Sequence, residues 1–163
     1  RSQEVRLAKW NEFDLDQRLW TIPAEHMKRS RAHIVPLSEA AMAVLVKAEA
    51  MQMEGAEVVF PGMTGKAMSN MTLLKVLRDM QEPFHVHGFR SSFTDWAANE
   101  GFPNAVVEAA LAHKTPDAVQ AAYRRTTYLG TPENPGARVK LMDAWGSHCS
   151  GNSASKSLDQ TEA

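Results

Sequence analysis

In the stretch HVHGFRSSF, His87 and Arg90 stand three residues apart where an apolar segment turns into a helix. That spacing puts both on one face of the first helical turn. A packed core would want apolar residues there, so this face is suited to a bound anion. Other basic residues at unusual places are Arg1 in RSQE, Lys28 in HMKRSRAHIVPL and His113 in LAHK, and Tyr123 follows His113 by ten residues. A free tyrosine hydroxyl has a pKa of about 10 and needs cationic neighbours or a base before it can act as a nucleophile. Tyr128 is the only other tyrosine. Five residues turn a helix by about 140°, so the two tyrosines could not face one site. Each residue also has a plain structural reading. Arg1 is a surface arginine at a chain end, Lys28 a solvated hairpin lysine, His87 a cap, His113 a residue favoured by a helix dipole, and Tyr123 a ring packed beside Ala121 and Ala122.

The elements that must position these groups follow from periodicity. RSQEVRLAKW has helical spacing and reads as the end of a helix. NEFDLDQRLWTIP predicts two short strands about a turn at Asp14 to Gln17, the second ending at Pro23, and His33 to Leu37 a third. Ser38 is a good N-cap for a helix with Met42, Leu45 and Val46 on one face, ending near Gly55. Ser69 caps a second helix carrying Met71, Leu74, Leu77 and Met80, which Pro83 closes. The helix from about Gly88 buries Phe89, Phe93 and Trp96 and stops near Gly101, with Arg90 off that stripe. Pro103 opens a short helix through Leu111, KTPD turns the chain, and AVQAAYRRTTYL forms another helix. RVKLMDAWGSH docks through Leu141, Met142 and Trp145. The expected fold is α+β, mainly helical with a small three-stranded antiparallel sheet, in one domain over residues 1–148. The small, polar residues 149–163 read as a disordered tail.

Composition narrows the function. At 163 residues with 44% hydrophobic content, the chain can build one ordinary core. Cys149 is the single cysteine, which rules out an internal disulfide and fits a reducing compartment. No apolar run approaches the roughly 18 residues of a membrane span. The 18 Lys+Arg against 19 Asp+Glu leave a net charge of -1, so any polyanion site must be local. The clearest basic patch is Lys28, Arg29 and Arg31 with their flanking histidines. Ser91 and Ser92 lack the His/Asp order or G-x-S-x-G elbow of a serine nucleophile. A metal site from His85, His87 and His113 lacks an evident carboxylate or cysteine partner. No cofactor is expected.

The series RSQE, MKRSRAHIVPL, HGFR, LAHK and AYRR, in that order over about residues 1 to 146, resembles the catalytic domain of the tyrosine recombinases, and most the prophage and genomic-island integrases. H-x-x-R alone is a weak signal; five blocks in order are a strong one. The resemblance implies that domain's fold, and site-specific integration or excision by cleaving and rejoining DNA through a 3′-phosphotyrosine, without metal or nucleotide. It implies that Arg1 and Arg90 are the clamp arginines, with Glu4 as companion to Arg1. Lys28 would be the general acid toward the leaving 5′-oxygen, and His87 an assistant in proton transfer. His113 would hydrogen-bond the scissile phosphate, and Tyr123 would be the nucleophile. Arg29, Arg31, Arg124 and Arg125 would contact DNA. Ala112 departs from the L-G-H of relatives, so the helix end could bend differently there. The implied partners are double-stranded DNA, further copies of the protein in a tetramer, and DNA-bending accessory proteins, in the bacterial cytoplasm at the nucleoid. Relatives exchange a C-terminal segment between protomers, for which RVKLMDAWGSH is the candidate. Rival readings are a type IB topoisomerase-like enzyme that relaxes DNA and a degenerate or truncated fragment that only binds DNA or its own partners.

Overall fold

The computed structural model describes residues 1–27, 30–113, 128–131 and 133–151. Lys28, Arg29, Tyr123, Arg124, Arg125, most of the AVQAAYRRTTYL segment and residues 152–163 lie outside the described residues. Helix α1 (Ser2–Leu7) leads through a 3-10 turn, Trp10–Glu12, into the sheet. Strands β1 (Phe13–Asp14), β2 (Leu19–Ile22) and β3 (His33–Pro36) form an antiparallel sheet in the order β1-β2-β3. Trp20 pairs with Phe13 on one side and Val35 on the other. The Phe13 and Trp20 rings stack at 5.2 Å between centroids, the type of cross-strand aromatic pair that fixes register. The α+β fold with a three-stranded antiparallel sheet is the one that the alternating pattern predicts.

Helix α2 (Glu39–Ala50) is capped by Ser38, whose Oγ accepts from the Ala41 amide at 3.3 Å. Its buried face is Leu45 and Ala48, with Ala41 and Met42 packed beside them. Val46, expected inside, is 61% exposed, because the close-packed line runs through small alanines rather than the bulkier valine. The helix ends at Ala50, and turns rather than helix carry the chain to Gly55. Helix α3 (Thr72–Asp79) has no fully buried residue, and Met71 and Met80 project into solvent. Ser69 does not cap it through an amide; its Oγ meets the Thr72 hydroxyl at 3.1 Å.

Helices α4 (Gly88–Asn99), α5 (Asn104–Ala110) and α6 (Ala137–Cys149) enclose one core: Phe93, Ala97, Val106, Val107, Leu111 and Leu141. The α4 stripe starts one turn later than its sequence implies. Phe89 lies in the first turn, beyond the reach of that core, and is half exposed, whereas Phe93 and Ala97 are buried. Trp96, Trp145 and Phe102 close the far end as tilted ring pairs. A second core, Ala8, Leu37, Leu45, Ala48 and Val59, lies between α2 and the strands.

Helix α6 ties the two cores together by packing on α2, α4, α5 and β3. Leu141 is completely buried, with Met142 and Trp145 packed beside it, as expected. Gly146 permits the close approach to α2: a Cβ there would lie 2.8 Å from the Ser38 Cβ. This segment, the candidate for exchange between protomers, is thus seated in the core of its own chain. From the same helix, Arg138, only 5% exposed, donates through Nη2 to the Ile34 carbonyl of β3. Burial lowers the Arg138 pKa to about 10.

Candidate DNA phosphate site

His113 is held by the way α5 ends. Its amide donates to the Glu108 carbonyl at 2.9 Å and the Ala112 amide to the Ala109 carbonyl at 3.3 Å, the paired bonds of a Schellman motif. Ala112 occupies the left-handed position of that motif, with φ of 52°. The helix end therefore takes the same turn that a glycine would give it, at a conformational cost. This motif also lays the Glu108 side chain beside the His113 ring, and Glu108 Oε2 lies 3.0 Å from His113 Nδ1.

Arg90, on the outward face of α4, reaches across to the same turn. Its Nη2 donates to the Leu111 carbonyl at 2.9 Å and contacts His113 Nε2 at 2.8 Å. Because a guanidinium can only donate, Nε2 must be the acceptor. The ring proton is therefore on Nδ1, donated to Glu108. One more exposed carbonyl of this helix end is covered from β3, where His33 Nε2 donates to the Ala110 carbonyl at 3.0 Å. Burial, then the Arg138 charge, pulls the His33 pKa below its ordinary value, so the ring stays neutral.

Arg1 stands nearby. Burial, and next the Arg1 charge, lowers the Arg90 pKa, with Glu4 and Glu108 acting the other way. The Arg1 guanidinium pairs with Glu4 at 2.6 Å. Glu4 itself is 7% exposed. Burial raises its pKa, but hydrogen bonds and charge from the terminal ammonium and Arg1 outweigh this and leave it lowered. One such pair engages part of a guanidinium that has five N–H donors. A cavity of about 260 Å³ lies against Arg1, lined also by Gln3, Glu4, Glu25, His26 and Met27.

Of the residues singled out by sequence, Arg90 and His113 are thus in contact and Arg1 is within electrostatic reach. His87 sits at the start of α4, exposed, and its carbonyl accepts from the Arg90 amide at 3.2 Å. Its ring makes no hydrogen bond to Arg90 or His113. Arg31 is exposed just before β3. Sequence reasoning missed three residues. Glu108 is the carboxylate partner of His113, and its five-residue offset from the histidine across a helix end was the available signal. His33 and Arg138 left none, since a histidine in a strand and an arginine in a helix ordinarily read as solvent-facing.

Comparison with known proteins identifies the family. The sequence profile of the phage integrase family matches residues 1–129. The chain belongs to the phage integrase family. It is 37% identical over 133 residues to prophage integrase IntA of Escherichia coli strain K12, a match covering 79% of this chain and 32% of that protein. It is 34% identical over 165 residues to the integrase of Enterobacteria phage P4, covering 89% and 36%. The integrase of Shigella phage Sf6 is 29% identical over 149 residues, covering 89% and 37%. This phage integrase family chain therefore spans about a third of the length of these relatives. No solved structure gives a significant match. No helix among the described residues is long and apolar enough to cross a membrane.

Proposed function

We propose that the chain is the catalytic part of a site-specific recombinase that integrates or excises a prophage or mobile element. It acts by cutting and rejoining double-stranded DNA through a 3′-phosphotyrosine. In this reading the Tyr123 oxygen attacks the scissile phosphorus, the bond to the 5′-oxygen breaks, and Lys28 supplies the proton that the leaving oxygen takes up. His87 accepts the tyrosine proton. Arg1 and Arg90 neutralise the charge that builds on the non-bridging oxygens, for which a planar guanidinium fork is well shaped. His113 donates a hydrogen bond to one of those oxygens. The phosphodiester energy is kept in the protein–DNA bond, so the 5′-hydroxyl can later reverse the attack without a nucleotide.

The observation that carries this reading is the contact of Arg90 with both the Leu111 carbonyl and His113 Nε2, with Arg1 close by. Helices and a chain segment distant in sequence bring cationic and hydrogen-bonding groups to one place, although the net charge is -1. Arg29, Arg31, Arg124 and Arg125 contact flanking phosphates, so binding weakens steeply with salt. The working assembly is a tetramer on DNA, helped by DNA-bending proteins, in the bacterial cytoplasm at the nucleoid.

The test is a nicked suicide duplex covering the ends of the element that encodes the protein, with covalent adducts separated on denaturing gels. Native protein and Tyr128→Phe form an adduct, and Tyr123→Phe forms none. An adduct that survives Tyr123→Phe and disappears in Tyr128→Phe overturns the nucleophile assignment. DNA binding without any adduct from native protein overturns the catalytic reading.

A further inference from the structure

Resting on that reading, we propose that Glu108 is a positioning residue that couples phosphate binding to proton uptake at His113. The DNA-free arrangement is closed on itself: Arg90 Nη2 donates to His113 Nε2 at 2.8 Å, and Nδ1–H faces Glu108 Oε2 at 3.0 Å. With a lone pair on Nε2 that is directed at Arg90, this tautomer has no proton there to donate to a phosphate oxygen. To hydrogen-bond that oxygen, the ring must carry a proton on Nε2 as well. A doubly protonated ring can no longer accept from Arg90, because both groups would then be donors.

Arrival of a phosphate resolves the conflict in one exchange. The Nη2–H of Arg90 that faced the imidazole changes acceptor to a non-bridging oxygen, while the second Nη2–H keeps its bond to the Leu111 carbonyl. His113 takes one proton from solvent onto Nε2 and donates it to the other side of the same phosphate. Glu108 then holds the Nδ1–H of an imidazolium, and its negative charge stabilises that state. No bond other than this N–H is formed.

The charged groups that face His113 among the described residues are Glu108 from α5 and Arg90 from α4; Arg1 and Glu4 of α1 act on Arg90. His33 from β3 serves the neighbouring Ala110 carbonyl. Glu108 alone among these both touches the ring and favours its cationic form. Its side chain is 29% exposed, so replacing it leaves the core intact.

Two measurements separate this proposal from the recombinase reading. The first is nitrogen NMR of the histidine rings in DNA-free protein, with the His113 signal identified through His113→Gln. The ring is expected as the Nδ1–H tautomer in native protein and in Glu108→Gln, whose amide oxygen still accepts, and as a mixture in Glu108→Ala. The second is the rate of adduct formation against pH. Glu108→Gln should move the alkaline fall-off about one unit toward lower pH, a loss of roughly tenfold on that limb with little change on the acid side. A native ring found as the Nε2–H tautomer, a Gln profile identical to native, or an equal loss at every pH overturns the proposal. If instead native protein binds DNA but forms no adduct, the recombinase reading fails, and the ring spectra still decide whether Glu108 positions His113.

Discussion

Ala112 is an alanine in a glycine's conformation, and replacing it offers a quantitative test of the helix end that carries His113. Its φ of 52° costs an L-residue about 1–2 kcal/mol relative to glycine. Glycine in turn loses more backbone freedom on folding, which returns about 0.5–1 kcal/mol of the gain. Ala112→Gly is therefore expected to stabilise the fold by roughly 0.5–1 kcal/mol, or a rise in Tm of about 1–4 °C for a chain of this size. The assay is calorimetric unfolding, repeated as urea titration so that an unchanged m-value shows that the denatured state has not altered. His113 and Glu108 should keep their contact, since the Schellman bonds do not involve the Ala112 side chain. A fall in Tm would refute the reasoning, because it would mean that residue 112 does not adopt the left-handed turn that places His113 against Arg90.

Three further predictions probe the frame around the site. Arg138→Ala should lower the unfolding free energy by about 3 kcal/mol, since it leaves a cavity where a buried side chain stood and removes the donor to the partly buried Ile34 carbonyl; urea denaturation measures this. Gly146→Ala should cost about 1–3 kcal/mol, because its Cβ would press on Ser38 and force α6 away from α2, and the Tm should fall accordingly. His33 gives a pH signature. Its pKa is lowered in the folded protein, so the unfolded chain binds the proton more readily, and the stability it contributes is present above the ordinary value of 6.5 and lost as pH falls through 6.5 toward the folded value. Comparing urea midpoints at about pH 7.5 and pH 5.5, His33→Gln should lose less stability on acidification than the native protein.

How far the sequence could be read depended on whether a signal was local. The three strands were legible because Phe13, Trp20, Ile22 and Val35 alternate with turn residues between them. Ser38 marked its helix because an N-cap acts within one turn. Periodicity says which face of a helix is apolar but not where the partner begins, which is why Phe89 and Val46 were assigned inward and lie outward. Arg90 and His113 were legible as motif residues, though not as direct partners, because 23 residues separate them and only the packing of α4 on α5 closes the distance. The His33 and Arg138 hydrogen bonds span 77 and 104 residues, and nothing in either local pattern distinguishes a buried polar side chain from a solvated one.

The central claim is that Arg90 neutralises charge on the scissile phosphate, and substituting the phosphate itself tests it most directly. With an ordinary linkage, Arg90→Ala should slow adduct formation by roughly a hundredfold, the loss of about 3 kcal/mol expected for one charge-stabilising donor. On a duplex whose scissile linkage is an uncharged methylphosphonate, much of the need for the guanidinium disappears, and the variant should approach native protein on the same duplex. An equal handicap on both substrates would contradict the account, since Arg90 would then support the fold or orient the DNA without compensating phosphate charge.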